Sequence, residues 1–267
     1  MLRWRVISAI FGIPLIVGAA WYGGLVLMFL VMLIVIKGVF EMLRLQRGLS
    51  IYPNIFLTLS GSLTLLGVAY LKEWSFAGIV FTILVIAHLL LMVVKYPKYK
   101  FQDAAAGMFT TIYMSLFAYI YLLSTLPDGS YWLLLMIAST WTSDTFAYFA
   151  GSNLGKRKLA PDISPNKTIE GAVGGLIGAV IGTLIMAYIF FDTVTTSFFF
   201  VIMLLLGILI AVLSQLGDLV ASSLKRQAKI KDAGTVIPGH GGVLDRFDSM
   251  LLSAPLVYYF AVIFIIY

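Results

Sequence analysis

The residues best suited to chemistry lie in one stretch, SQLGDLVASSLKRQAKIKDAGTVIPGHGGVLDRFDS, at positions 214–249. If a helix continues beyond Gly217, then Asp218, Ser222, Lys225 and Lys229 share one face, joining a carboxylate to cations that can meet phosphate. Pro238-Gly239-His240-Gly241-Gly242 permits backbone geometries in which consecutive amides converge on an anion. Asp245, Arg246 and Asp248 follow at once. Hard divalent cations such as magnesium bind through one or two carboxylates plus substrate phosphates, which makes Asp218 and Asp245 the expected ligands. His240, set between glycines, reads as a turn residue, a phosphate contact or a proton donor, with phosphate contact preferred. A solvated loop accounts for the charge but not for this glycine and carboxylate spacing, which predicts metal-assisted phosphate chemistry.

Two upstream segments add to the set. TWTSDTFAYFAG places Asp144 inside an apolar run, where a lone carboxylate costs on the order of 3 kcal/mol and needs compensation. On a helix Thr140, Asp144 and Tyr148 share a face, as a hydrogen-bonded packing group or a ligand-facing stripe. KRKLAPDISPNKTIEG supplies Lys156, Arg157, Lys158 and Lys167, held extended by Pro161 and Pro165. Lys156 to Lys158 suit anionic headgroups as well as a substrate. Glu170 sits where the next helix begins and also complements its dipole. GSNLGKR is not a Walker loop: only three residues separate the glycines, and Arg157 stands where a hydroxyl residue belongs. Gly174, Gly178 and Gly182 recur at helical period and predict close helix packing. His88 lies in an apolar run with no partner evident in the sequence, and packing is its default role.

The elements that must carry these residues are membrane helices. The 267-residue chain is 61% hydrophobic and 11% charged, and its mean hydropathy is +1.02, far more apolar than a soluble domain. Apolar segments at 6–21, 25–43, 55–71, 76–94, 104–126, 132–150, 171–191, 197–217 and 250–267 predict an all-α polytopic membrane helix bundle of about nine transmembrane helices. The basic amino-terminal start and following apolar run are read as an uncleaved first span. With the amino terminus cytoplasmic, alternation puts every one of the 18 basic residues except Lys72 on the cytoplasmic side. The domain expectation is an N-terminal four-helix region, 1–100, and a C-terminal five-helix catalytic region, 101–267, with cytoplasmic loops 151–170 and 218–249. The absence of cysteine excludes disulfides, thiolate zinc sites and thiol nucleophiles, and two histidines cannot build a His-rich metal site. Nucleic acid is not an expected partner, because the basic residues follow membrane topology.

At this loop the sequence resembles the phosphatidate cytidylyltransferase family, also called CDP-diacylglycerol synthases. The matching residues are Ser223, Leu224, Lys225, Arg226, Lys231, Asp232, Gly234, Pro238, Gly239, His240, Gly241, Gly242, Asp245, Arg246 and Asp248, with SDTFAYFAG and SPNKTIEG upstream. Asn166 stands where relatives often carry a basic residue. The first hundred residues match in hydropathy and layout alone. The resemblance implies attack by a phosphate oxygen of phosphatidic acid on the α-phosphorus of CTP, giving CDP-diacylglycerol and pyrophosphate. It implies Mg2+ held by Asp218 and Asp245 with Asp144 as a further ligand candidate, and it leaves room for a second metal ion. Asp144, Lys167, Lys225, Arg226, Lys231, Asp232, His240, Arg246 and Asp248 are the expected catalytic set. Asn153, Ser164, Lys167, Thr168, Glu170, Ser223, Gly239, Gly241 and Gly242 are the expected substrate contacts.

Such chemistry calls above all for charge neutralisation and alignment. No general base is strictly required, since a phosphate monoester with a second pKa of about 6 is largely dianionic near neutrality. The expected partners are CTP, phosphatidic acid and membrane lipids, and family analogy allows a homodimer. The expected location is the cell (inner) membrane with the site on the cytoplasmic face. Two alternatives stay open on the residues: a CTP-dependent polyprenol or phytol kinase, and an anion transporter, against which the missing half-repeats argue.

Overall fold

Apolar runs with few breakers give helices along almost the whole chain, as a computed structural model that describes residues 2–191, 197–236 and 241–266. The helices are α1 (Leu2–Tyr22), α2 (Gly24–Gly48), α3 (Ile55–Leu71), α4 (Ser75–Val94), α5 (Phe101–Ser115), α6 (Ala118–Ser124), α7 (Gly129–Leu154), α8 (Ile169–Phe190), α9 (Ser197–Gln227) and α10 (Leu244–Ala261), the last running into a π-helical turn, Val262–Ile266. Each predicted apolar segment coincides with a helix, the fifth with α5 and α6 together. Among the described residues six stretches are long and apolar enough to cross a membrane: Gly24–Gly48, Ser75–Val94, Phe101–Ser124, Ile169–Phe190, Ser197–Gln227 and Leu244–Phe264. The chain is an all-α polytopic membrane protein with one small addition. Between α7 and α8 the proline-punctuated segment folds into an antiparallel hairpin of β1 (Lys158–Ala160) and β2 (Ser164–Thr168), with Lys158 opposite Thr168 and Ala160 opposite Ser164. The prolines predict extended backbone there, but the pairing itself is not written in the local sequence.

The chain divides into two compact units. One comprises Met1–Leu15, Gly23–Leu122 and Leu224–Arg246. Its buried side chains include Val35, Val39, Met42, Met114 and Phe117. Gly38 admits the Met114 sulfur against α2, and Gly61 admits Leu84 and Thr111 against α3. Several polar side chains inside this unit find partners across helices or at helix ends. The Gln46 amide on α2 donates to the Ala106 carbonyl at 3.0 Å and to Thr110 Oγ1 at 2.6 Å on α5. Asn54 caps α3 by accepting from the Leu57 amide at 3.0 Å. The partner of His88 is Tyr99, with Nδ1 and the phenol oxygen 2.7 Å apart. Burial pushes the Tyr99 phenol up to about 12, so it keeps its proton.

The second unit comprises Ile16–Tyr22, Leu123–Ser223 and Phe247–Tyr267. Its spine is the seam between α7 and α8. A Cβ added at Gly174 would meet Ala150 and the Phe146 carbonyl, one at Gly178 would meet Phe146 and the Thr142 carbonyl, and one at Gly182 would meet Thr142 and Ser139. The predicted glycine stripe is therefore a packing surface, and it lets backbones approach as small residues do within lipid. A hydroxyl pair crosses the seam, Ser139 Oγ to Thr183 Oγ1 at 2.8 Å. On the other flank of α8, Gly207 of α9 packs on Val180 and Thr183, and the Gln215 amide donates to the Ala172 carbonyl at 3.1 Å. α9 is thus fixed to α8 one turn before Asp218.

Candidate active site

In the second unit, α7, the hairpin, the start of α8 and α9 enclose a cavity of about 530 Å3. Its polar lining is Asp144, Ser152, Asn166, Lys167, Gln215 and Asp218, with Tyr148 and Leu159 on its apolar side. α7 contributes Asp144, the hairpin Lys167 and α9 Asp218 to the lining of this one cavity. Lys167 Nζ lies 2.6 Å from Asp218 Oδ2, the two side chains being 25% and 32% exposed. Asp218 Oδ1 accepts from Ser222 Oγ at 3.2 Å, one helical turn on. The condition set by the sequence is met: α9 runs past Gly217 to Gln227, so Asp218, Ser222 and Lys225 do lie on one helix. Lys229 does not, since it follows the helix end and has a left-handed backbone, φ 55°.

The hairpin is anchored by residues expected to touch substrate. Thr168 Oγ1 accepts from the Gly171 amide at 3.1 Å and caps α8. Glu170 Oε2 accepts from the Lys156 and Arg157 amides at 3.0 and 3.2 Å, so its carboxylate ties the hairpin's first arm to α8. Thr168 also lines the cavity. Ser164 is half-buried on β2, while Asn153 is exposed at the end of α7 and is not among the cavity's lining residues.

The first unit carries the other carboxylate. Asp245, in the first turn of α10, accepts from Lys225 Nζ at 2.6 Å through Oδ1. Its Oδ2 accepts from the Ala233 and Gly242 amides, both at 2.9 Å. The pair is buried, with side-chain exposures of 12% for Lys225 and 5% for Asp245. Gly241 beside it adopts φ +87°, where a side chain would be strained and its Cβ would meet Asp245 Oδ2. The residue that sequence reasoning missed is Glu41, on α2. It is 5% exposed, and its Oε1 and Oε2 accept from the Val243 and Leu244 amides, each at 2.8 Å. Of the glycine-rich run, Gly242 donates its amide to Asp245, and the Val243 and Leu244 amides that follow it donate to Glu41, so the anions met by these described amides are the chain's own. Glu41 had a signal of its own: the burial-cost argument that singles out Asp144 applies equally to a carboxylate inside α2.

The remaining expected residues are placed as follows. Arg226, Lys231, Asp232 and Arg246 are exposed in the first unit, and Ser223 is half-buried on α9. Asp248 is 7% exposed, with Oδ1 accepting from the Ser249 amide at 2.8 Å. Gly239 and His240 lie outside the described residues.

Magnesium is tested by the donor set. Among the described residues no three His, Cys, Asp or Glu side chains cluster as a metal cage. Magnesium does not require one, since it keeps waters and takes one or two carboxylates plus substrate phosphates. Asp144 and Asp218 on one cavity fit that pattern. Asp245 is nearer saturation, with three N–H partners for about four acceptor positions.

Known proteins with similar sequences place this arrangement in a family. Residues 3–264 match the cytidylyltransferase family. A phosphatidate cytidylyltransferase of Staphylococcus saprophyticus subsp. saprophyticus is 34% identical over 95% of this chain and 96% of its own length. One from Staphylococcus haemolyticus is 33% identical over the same shares. A phosphatidate cytidylyltransferase of Bacillus subtilis is 47% identical over 46% of this chain and 45% of its own. The chain belongs to the cytidylyltransferase family.

Proposed function

We propose that this protein transfers a cytidylyl group from CTP to phosphatidic acid, forming CDP-diacylglycerol and pyrophosphate for phospholipid synthesis. The observation that carries the reading is the cavity that gathers Asp144, Lys167 and Asp218 in a chain built of membrane helices. The named activity of the full-length relatives supports the same substrates. Neither a kinase nor a transporter reading is favoured by any of these relatives.

In the reaction a phosphate oxygen of the lipid forms a bond to the α-phosphorus of CTP while the bond from that phosphorus to the bridging oxygen of pyrophosphate breaks. The lipid phosphate arrives largely deprotonated, so the protein's task is alignment and charge neutralisation. Magnesium, when bound, neutralises phosphate oxygens and orients the nucleotide. Asp218 and Asp144 would hold it at the cavity, and Asp245 would offer its remaining acceptor position to a metal ion in the first unit. Lys167, paired with Asp218 on the cavity wall and a quarter exposed, would supply positive charge to a substrate phosphate. Lys225, Arg226, Lys231 and Arg246 supply further positive charge to phosphates, with Asp232, Asp248 and His240 as supporting polar groups. Asn153, Ser164, Thr168, Glu170, Ser223, Gly239, Gly241 and Gly242 complete the proposed substrate contacts, Thr168 and Glu170 acting through the hairpin they anchor.

The proposed topology has nine spans, a cytoplasmic amino terminus and a cytoplasmic site in the cell membrane, where a soluble nucleotide meets a lipid-anchored phosphate. The distribution of basic residues supports it, and a homodimer is the proposed assembly by family analogy. The test uses the purified protein in detergent with CTP, magnesium and phosphatidic acid. Pyrophosphate and CDP-diacylglycerol in equal amounts are expected; CDP release, or no turnover, would overturn the reading.

A further inference from the structure

We infer that Glu41 on α2 is a positioning residue for Asp245, holding the glycine-rich segment from both sides so that the Asp245 carboxylate is fixed in place. The inference rests on the reading that Asp245 takes part in the reaction.

Three observations carry it. First, Glu41 is a carboxylate only 5% exposed, counted with Val35, Val39, Met42 and Leu43 among the buried residues of α2. A buried carboxylate is costly unless its oxygens are satisfied. Second, both oxygens are satisfied at one place, the Val243 and Leu244 amides that open α10. These are orphan donors of a helix start, and a negative charge is favoured there by the helix dipole. The next residue is Asp245. Third, Gly234 and Gly242 both lie against the Glu41 carboxyl group, and a Cβ on either would come under 3.0 Å from it. The segment before residue 237 and the segment after residue 240 are therefore held by the same side chain.

The consequence for Asp245 is direct. Its two amide partners, Ala233 and Gly242, adjoin or include the glycines packed on Glu41. With Glu41 in place those amides converge on Asp245 Oδ2, leaving Oδ1 for Lys225. Glu41 thereby occupies the anion site at the start of α10, so the Val243 and Leu244 amides are already engaged by the chain itself. This gives a task to a helix whose sequence shows no other chemistry, and it explains in packing terms why positions 234 and 242 must be glycine.

The experiment compares Glu41→Gln with the unsubstituted full-length protein in detergent. Glutamine keeps one acceptor oxygen but turns an NH2 toward the second amide, so one of the two bonds becomes a clash of donors. Turnover per folded molecule should fall about 10- to 100-fold, the range typical for losing a group that orients a ligand-bearing residue, with the KM for phosphatidic acid unchanged. Hydrogen exchange of the peptide containing Val243 and Leu244 should accelerate while that of α8 stays the same. Glu41→Gln that matches the parent in exchange, or that lowers only the yield of folded protein at normal turnover, overturns the inference.

A second arm guards against misfolding of that variant. Gly242→Ala should lower turnover at least tenfold alone, yet add little in a Glu41→Ala background, because the clash it creates is with Glu41. Independent, additive effects would overturn the coupling. If the unsubstituted protein shows no cytidylyl transfer, the reaction reading falls, and the exchange arm still decides whether Glu41 holds the segment.

Discussion

Lys167 Nζ and Asp218 Oδ2 sit 2.6 Å apart on the wall of a cavity they share with Asp144, yet each side chain keeps a quarter to a third of its surface open. A pair this exposed contributes about 0–1 kcal/mol to stability. Holding the fold is therefore not an adequate reason for its placement, and a ligand that separates the two charges is. Asp218→Ala should abolish turnover, by about 100-fold or more, and leave thermal unfolding in detergent nearly unchanged. Size-exclusion and melting profiles matching the parent beside a dead enzyme are the expected outcome; near-normal activity would remove Asp218 from the metal site.

Lys167 should behave as its partner. Lys167→Met is expected to lower kcat/KM for CTP by about 100- to 1000-fold, the cost of one charge-stabilising donor. The double variant with Asp218→Ala should be no worse than the poorer single one, because both act on one ligand. Additive losses in steady-state kinetics would place them at separate tasks.

Asp245 differs from Asp218 in burial, and the difference predicts a different phenotype. Asp245→Ala strands Lys225, only 12% exposed, together with the Ala233 and Gly242 amides. Breaking a buried pair from one side costs about 3–5 kcal/mol. The expected result is loss of both activity and thermal stability, measured on the same preparation. A protein as stable as the parent would show that the buried Lys225–Asp245 pair does not contribute to stability.

The α7–α8 seam gives a purely mechanical test. Gly178→Leu forces a side chain into Phe146 and the Thr142 carbonyl, whereas Gly67 on α3 has open space around it. Overpacking at Gly178 should cost about 1–3 kcal/mol and shift α7, which carries Asp144, lowering activity. Gly67→Leu should leave activity and melting unchanged.

Much of this architecture is legible in the sequence, because membrane helices announce themselves by length and hydropathy. The segment 55–71 matches α3 end to end. Asp144, Lys167 and Asp218 stand out in the sequence because charge inside or beside apolar runs requires a reason, and all three line one cavity. What is not legible is pairing at a distance. That Lys167 takes Asp218, Lys225 takes Asp245 and His88 takes Tyr99 depends on helix packing, which no local pattern encodes. Glu41 shows the same limit: its partners lie 202 and 203 residues away. The β1–β2 hairpin is hidden for another reason, since Pro161 and Pro165 specify extension without specifying what the extended arms pair with.

Chelation should separate the metal's part from the protein's. Excess EDTA is expected to stop turnover completely and added magnesium to restore it, while the melting temperature changes little, because Asp218 and Asp245 are already partnered by lysines. Turnover that persists in EDTA would contradict the assignment of Asp218 and Asp144 to magnesium.

The most direct test of cytidylyl transfer follows the phosphates of CTP separately. With the label at the α-phosphate, radioactivity should move into the lipid and stay there as CDP-diacylglycerol; with the label at the γ-phosphate, it should leave entirely as pyrophosphate. γ-Label in the lipid, with α-label released as CDP, would mean phosphoryl transfer and would contradict the account.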